Sequence, residues 1–196
     1  MYRWDFAPVL ANADLLVAGL VNTLRVTGTA LVVGVALGLA LALLRLSGRR
    51  LASWPAGFVI EVFRTTPPLV QLFWFFFALP LVVGIEMTPF MAAATTFSIQ
   101  SAAFFAEVFR GGIASVERGQ WDAARAIELM KTTTLVATIS YADLLYAANE
   151  ISQRSFRPLE TFTVAALVYF GVITVVSQAA RRLERRLAVS GESTVR

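Results

Sequence analysis

The sequence predicts an all-α fold, a polytopic bundle of membrane-spanning helices. Of the 196 residues, 57% are hydrophobic and only 15% are charged, whereas a soluble domain carries about 25% charged residues. A chain this short has too small an interior to hide so much apolar surface from water. The sequence also contains uncharged runs of about 20 residues with basic clusters between them, which is typical of an integral membrane protein.

Four uncharged runs are long enough to span a hydrocarbon core of roughly 30 Å at about 1.5 Å per residue. Gly84 and Pro89 suit a tight turn between the second and third runs. The apolar stretch around the first run begins already at Leu15, and Arg25 within it is interpreted as an outer-edge side chain that reaches the headgroups. The predicted spans cover residues 26–44, 65–85, 87–106 and 161–180.

Basic residues follow the first, third and last runs, but none follows the second. Because cytoplasmic loops attract Lys and Arg, this pattern places the N-terminus outside and the C-terminus in the cytoplasm. The third and the last spans then both end inside, so the chain must cross outward once between Arg110 and Thr161. We therefore expect about five spans.

The only candidate for the remaining crossing is the weaker segment 132–148, which Asp143 interrupts. Exposing a charge to lipid at the bilayer centre costs about 2.5–3.5 kcal/mol. We therefore expect Asp143 to face protein or a water-filled cavity.

The composition also excludes several kinds of chemistry. The chain contains no cysteine and no histidine, which removes thiol chemistry, disulfides, Cys/His zinc sites and His-based acid–base catalysis. It has no glycine-rich phosphate loop of the ATPase kind. We expect no enzymatic activity, no cofactor and no metal. The net charge of +4 comes from basic clusters that orient the chain, and does not indicate nucleic-acid binding.

Two polar features allow two interpretations each. The segment 65–68, Thr-Thr-Pro-Pro, is either a helix start with Glu61 and Arg64 paired at the interface, or a bend at a gate. Gln100 and Ser101 lie inside the third span, where they either hydrogen-bond to neighbouring helices or contact a substrate.

Three stretches in order resemble one family. Residues 104–126 resemble the cytoplasmic loop of binding-protein-dependent ABC importer permeases of the polar amino-acid branch, and Asp122-Ala123-Ala124 stands where that family carries its Glu-Ala-Ala signature. Residues 61–73 resemble its second-span start, with Thr65 where Gly is usual. Residues 131–136 resemble its mid-membrane break near the substrate path. The resemblance covers about residues 19–182.

The resemblance implies a permease subunit of an ATP-driven importer in the bacterial inner membrane, forming the path for a polar amino acid or similar small solute. Its partners would be ABC ATPase subunits, which hydrolyse the ATP, an extracytoplasmic solute-binding protein and a second permease chain, identical or related. The implied organisation is an extracytoplasmic segment (1–18), the transmembrane domain (19–182) and a cytoplasmic tail (183–196).

The resemblance also suggests site residues. A short helix of small residues with Trp121 as anchor fits a groove on an ATPase, although a surface helix merely linking two spans has the same composition. The coupling residues would be Gly119, Gln120, Trp121, Asp122, Ala123, Ala124 and Arg125. The substrate path or gate would include Glu61, Arg64, Pro67, Gln71, Gln100, Ser101, Lys131, Thr133 and Thr134. The alternative function is an ATP-independent channel, secondary transporter or scaffold subunit, in which intramembrane charge serves equally well.

One departure from the family pattern lies between Ile127 and Lys131. The second half of the coupling region and the first half of the fourth span are absent, on the order of thirty residues, about one span and a short helix. What remains, residues 129–148, carries Lys131 and Asp143, which are too far apart along a helix to neutralise one another. We expect this segment to be irregular and the least stable element, with the coupling helix ending near Glu128.

Overall fold

The computed structural model describes residues 3–114 and 142–188, and the regular elements in these two ranges are all helical, as predicted. A π-helical turn, Trp74–Ala78, joins the fourth and fifth helices. The α-helices are α1 (Ala7–Leu10), α2 (Ala13–Leu46), α3 (Arg50–Thr65), α4 (Pro68–Phe73), α5 (Leu79–Val83), α6 (Pro89–Ala114), α7 (Leu144–Ser155) and α8 (Pro158–Ala188).

Within the described ranges, two helices are long and apolar enough to cross a membrane: α2 and the stretch Pro158–Ala179 of α8. α3 and the helical stretch Pro68–Val83 form a bent pair, and this pair is a third candidate if the two together make one span. The run 87–106 forms α6, as predicted, but hydroxyl and amide side chains interrupt its apolar surface. The total of five spans stays a prediction.

The centre of the bundle is the contact between α2 and α6. On α2 the buried positions recur every fourth residue from Val26 to Ala42, so they form one stripe along the helix. Two of them are glycines that let the backbones approach closely. A Cβ on Gly34 would lie 2.7 Å from Cβ of Ser101, and a Cβ on Gly38 would lie 2.6 Å from Cβ of Phe105.

The N-terminal segment packs beside the turn between α7 and α8. The backbone N–H of Asp5 donates to Glu160 Oε1 at 3.0 Å, and Glu160 is fully buried. Arg157 Nη1 donates to the carbonyl of Arg3 at 3.0 Å. The N-terminus and the start of α8 therefore lie on the same side of the bundle, which is the relative placement that the charge pattern predicts.

The segment 129–148 is irregular in its described part, as expected, because Asp143 is extended (φ −79°, ψ −177°) and α7 begins only at Leu144. The start of the second span differs from the sequence-based expectation. The second span does not begin as a new helix at Thr65. Instead α3, which the sequence reasoning did not predict, ends there, and the chain bends by 107° into α4.

Candidate functional site

The bend between α3 and α4 is built by the predicted Thr-Thr-Pro-Pro segment. Thr66 and Pro67 are extended (ψ 130° and 137°), and the proline that follows each of them disfavours the helical region. Pro68 then opens α4, where its missing N–H costs nothing. The segment therefore both bends the chain and starts a helix, so each interpretation is correct in part. The role of the bend as a gate stays a prediction.

Gln71 closes the bend from inside. Its side-chain Nε2 donates to the carbonyls of Phe63 at 3.0 Å and Thr66 at 2.8 Å. These acceptors sit at the end of α3, where a helix leaves carbonyls without partners. Gln71 is buried and so acts on the backbone of the bend.

Arg64 ties the bend to α6. Its Nη1 lies 4.0 Å from Glu107 Oε2 on α6. The helix-start interpretation paired Arg64 with Glu61 instead, and this pair is not observed. Glu61 is exposed. Glu107 lies just after the uncharged run of α6 and accepts from Arg110 Nη2 at 2.7 Å. That hydrogen bond, with the neighbouring positive charges, lowers the pKa of the Glu107 carboxyl, so the carboxylate stays charged opposite Arg64.

Gln100 and Ser101 are both buried in α6, but their surroundings differ. Ser101 meets α2 at Gly34, which places its side chain in the helix–helix contact. The amide of Gln100 makes no hydrogen bond to any residue in the described ranges. Contact with a solute stays a prediction for both residues.

A second polar site lies where α7 begins. Asp143 is fully buried, as predicted for a charge at this depth, and its Oδ1 accepts from the N–H of Tyr146 at 2.8 Å. Its Oδ2 has no hydrogen-bond partner within the part of the chain that the structure describes. Tyr169 of α8 packs against the apolar cluster that surrounds this site.

Polar residues of α2 hold the unwound backbone ahead of α7. Asn22 Nδ2 donates to the carbonyl of Ala142 at 2.8 Å, and the N–H of Leu144 donates to Thr23 Oγ1 at 3.1 Å. A Cβ on Gly19 would lie 2.6 Å from the carbonyl oxygen of Asp143, so only glycine permits this approach. Non-helical backbone is tolerated at membrane depth when protein satisfies it in this way.

Gly19, Asn22 and Thr23 are site residues that the sequence reasoning missed. The available signal was polar side chains one turn from a glycine inside an apolar run. The predicted coupling residues 119–125, together with Lys131, Thr133 and Thr134, lie outside the described residues. Their roles stay predictions.

Residues 34–139 match the family described as "Binding-protein-dependent transport system inner membrane component". The chain is 31% identical to the putative glutamine transport system permease protein GlnP of Rickettsia bellii, over 96% of this chain and 99% of that one. It is 31% identical to the glutamate/aspartate import permease protein GltK of Escherichia coli O6:H1, over 96% and 100%. The arginine transport system permease protein ArtQ of Bacillus subtilis is 27% identical, over 93% and 97%.

A solved structure described as "Crystal structure of an amino acid ABC transporter with histidines" superposes with a TM-score of 0.87 at 28% identity, covering 94% of this chain and all of that one. The alignment with the Rickettsia protein extends over 218 positions, more than the 196 residues present here. Part of that relative therefore has no counterpart in this chain. By sequence and fold together, the chain is a multi-pass protein of the bacterial inner membrane and belongs to the binding-protein-dependent transport system inner membrane components, as an amino-acid ABC transporter permease.

Proposed function

We propose that this chain forms the translocation path for a polar amino acid and couples it to a separate ATPase subunit. The names of its relatives, which refer to glutamine, glutamate/aspartate and arginine transport, support this solute class. The complex would contain ABC ATPase subunits, an extracytoplasmic solute-binding protein and a second permease chain, identical or related. The predicted orientation and the division into 1–18, 19–182 and 183–196 are part of the proposal.

The observation that carries the proposal is the buried carboxylate of Asp143. An ionisable group at this depth is costly unless a positive charge or hydrogen-bond donors meet it. Its Oδ2 is left open among the described residues, and the α-ammonium group of an amino acid supplies both. Thr23 and Asn22 fix the backbone on either side of Asp143, so the open oxygen is held in position before a solute arrives.

The bend between α3 and α4 serves as the proposed gate. Pro67 and Gln71 set its shape, and Arg64 links it to Glu107 on α6. α6 ends at Ala114, five positions before the coupling residues 119–125 in the sequence. A movement of an ATPase against that segment would reach the bend through α6 and its contact with Arg64. Solute can shift such an equilibrium only through contacts that differ between the two states. The polar residues Gln100, Lys131, Thr133 and Thr134 would supply further contacts along the path.

Replacing Asp143 by Asn tests the solute contact. Asn removes the charge but keeps the size and the ability to cap α7. A hydrogen bond to a charged group contributes about 1.5–3 kcal/mol, so we expect uptake efficiency to fall roughly tenfold to a hundredfold. The measurement is ATP-driven uptake of labelled amino acid by proteoliposomes that contain the permease, its ATPase and its solute-binding protein.

Asp14→Asn is the matched control, because Asp14 is an exposed carboxylate in the first turn of α2. Its uptake should equal that of the parent chain. Unchanged uptake in Asp143→Asn would remove Asp143 from the path. Solute or ion flux through the permease alone, without ATPase or ATP, would favour the channel or secondary-transporter alternative.

A further inference from the structure

The corner between α2 and α3 contains a cavity of about 640 Å³. α2 ends at Leu46, Gly48 takes a positive φ of 68°, and α3 starts at Arg50. The volume falls within the range of roughly 300–1,000 Å³ that is usual for small-molecule sites. The corner is thus a formed concave surface with an opening toward the surroundings of the bundle.

The polar part of the cavity wall is cationic. It contains Arg45, Arg50 and Ser53, and the sequence has no acidic residue between Asp14 and Glu61. Arg45 Nη1 donates to the carbonyl of Ser53 at 3.0 Å, and Ser53 Oγ donates to the carbonyl of Arg45 at 3.1 Å.

The first bond holds the Arg45 guanidinium against α3 and leaves most of its N–H donors available, and the second ties Ser53 to the backbone at the end of α2. Arg45 acts electrostatically on Glu107, but that carboxylate is bonded to Arg110 and also faces Arg64. The cavity wall therefore carries net positive charge, and the planar guanidinium fork of arginine suits phosphate.

The apolar part of the wall continues along α3. Leu51 and Trp54, which line the cavity with Pro55, are 94% and 75% exposed, and Phe58 one turn further on is 62% exposed. The Trp54 and Phe58 rings stack with centroids 6.3 Å apart. At helical spacing these side chains form one apolar stripe that starts at the cationic cavity. Tryptophan beside basic residues is typical of the membrane–water interface.

We propose that this corner binds an anionic phospholipid, with its phosphate between Arg45 and Arg50 and an acyl chain along Leu51, Trp54 and Phe58. The shared chemistry, a phosphate on a pair of guanidinium groups, also suits free inorganic phosphate. The apolar stripe that leaves the cavity distinguishes the two, because only a lipid has a chain to cover it. Basic pockets between transmembrane helices are known to attract lipid headgroups of this kind.

Tryptophan quenching in the reconstituted complex tests the site. The complex is placed in membranes that contain either phosphatidylglycerol or phosphatidylcholine with brominated chains, and the contribution of Trp54 is the difference between the parent protein and Trp54→Phe. We expect brominated phosphatidylglycerol to quench Trp54 more strongly than brominated phosphatidylcholine at equal mole fraction. Equal quenching by the two lipids would overturn the proposal, and this comparison needs no arginine variant.

Charge variants then locate the phosphate. Each of Arg45→Gln and Arg50→Gln should lower the preference for phosphatidylglycerol about fivefold, since one basic residue near an anionic surface contributes about 1 kcal/mol. Arg25→Gln, an exposed arginine further toward the start of α2, should leave the preference unchanged. The side chain of Arg50 makes no hydrogen bond to any described residue, so Arg50→Gln keeps the test valid if Arg45→Gln fails to fold.

The source of the phosphate is decided by competition. Millimolar inorganic phosphate should not relieve the quenching by phosphatidylglycerol. Complete relief would reassign the cavity to a free phosphate ion, and an unchanged lipid preference in Arg50→Gln would show that the cavity does not hold the headgroup.

Discussion

A single side chain, that of Gln71, makes the bend between α3 and α4 compatible with burial. A buried carbonyl without a partner costs about 1–3 kcal/mol, and the bend leaves two of them, on Phe63 and Thr66. One amide nitrogen of Gln71 has two N–H groups and meets both acceptors. The shape of this region therefore depends on one residue as much as on the two prolines.

Replacing Trp121 by Ala tests the proposed contact with the ATPase. If Trp121 is an interface anchor, the change should weaken association with the ATPase by about 2 kcal/mol or more. The measurement is the affinity of the purified permease for the ATPase, with the solute affinity of the binding protein expected to stay unchanged.

Trp4→Ala is the control, since Trp4 is exposed on the N-terminal segment, on the predicted opposite side of the membrane. Unaltered ATPase association in Trp121→Ala would favour the simpler interpretation of residues 119–125 as a surface helix that links two spans.

For single residues, the sequence predicts which polar side chains matter but not which residues they contact. Asp143 is conspicuous because a charge interrupts an apolar run. Its neighbours on α2 are about 120 positions earlier in the chain, and no local pattern connects them. The same holds for Arg64, whose nearest acid in sequence is Glu61 but whose observed neighbour is Glu107.

The contact between α2 and α6 depends on the absence of side chains at two glycines. In Gly38→Ala the new Cβ would lie 2.6 Å from Cβ of Phe105 and 2.9 Å from the carbonyl oxygen of Ala102. One helix must then shift, and overpacking of this kind costs about 1–3 kcal/mol. We expect a lower thermal unfolding temperature of the purified protein in detergent.

Gly28→Ala is the matched control on the same helix, because within the described residues its added Cβ has no neighbour within 4 Å beyond the adjacent residues and the backbone of its own helix. Alanine should stabilise α2 there by up to about 1 kcal/mol, through its better helix propensity. Equal unfolding temperatures for the two variants would contradict the close packing of α2 against α6.

The length and order of the apolar runs predicted α2, α6 and α8 well, because lipid imposes both composition and length on a spanning helix. The same reasoning missed α3, whose exposed face is apolar but whose run is interrupted by Arg50, Glu61 and Arg64. Averaging hydropathy over a window hides an amphipathic helix of this kind. The spacing of its apolar residues along one face would have revealed it.

The orientation of the whole molecule is testable because the chain has no native cysteine. A cysteine placed at Ser190 should be unreactive toward a membrane-impermeant maleimide in intact cells and reactive after the membrane is opened. A cysteine at Ala11, beside the N-terminal segment, should already react with this maleimide in intact cells. Labelling of the Ser190 variant from outside would reverse the proposed orientation.

The contacts between α2 and the start of α7 also limit the order in which the protein can assemble during synthesis. Ribosomes add roughly 5–20 residues per second. Asn22 must therefore wait roughly 6–24 s before Ala142, 120 positions later, has even been synthesised. During that interval the amide of Asn22 and the hydroxyl of Thr23 have no backbone of α7 to bond. α2 can therefore gain these two contacts only after the second half of the chain has been synthesised, which makes the assembly of this part of the bundle sensitive to the speed of translation.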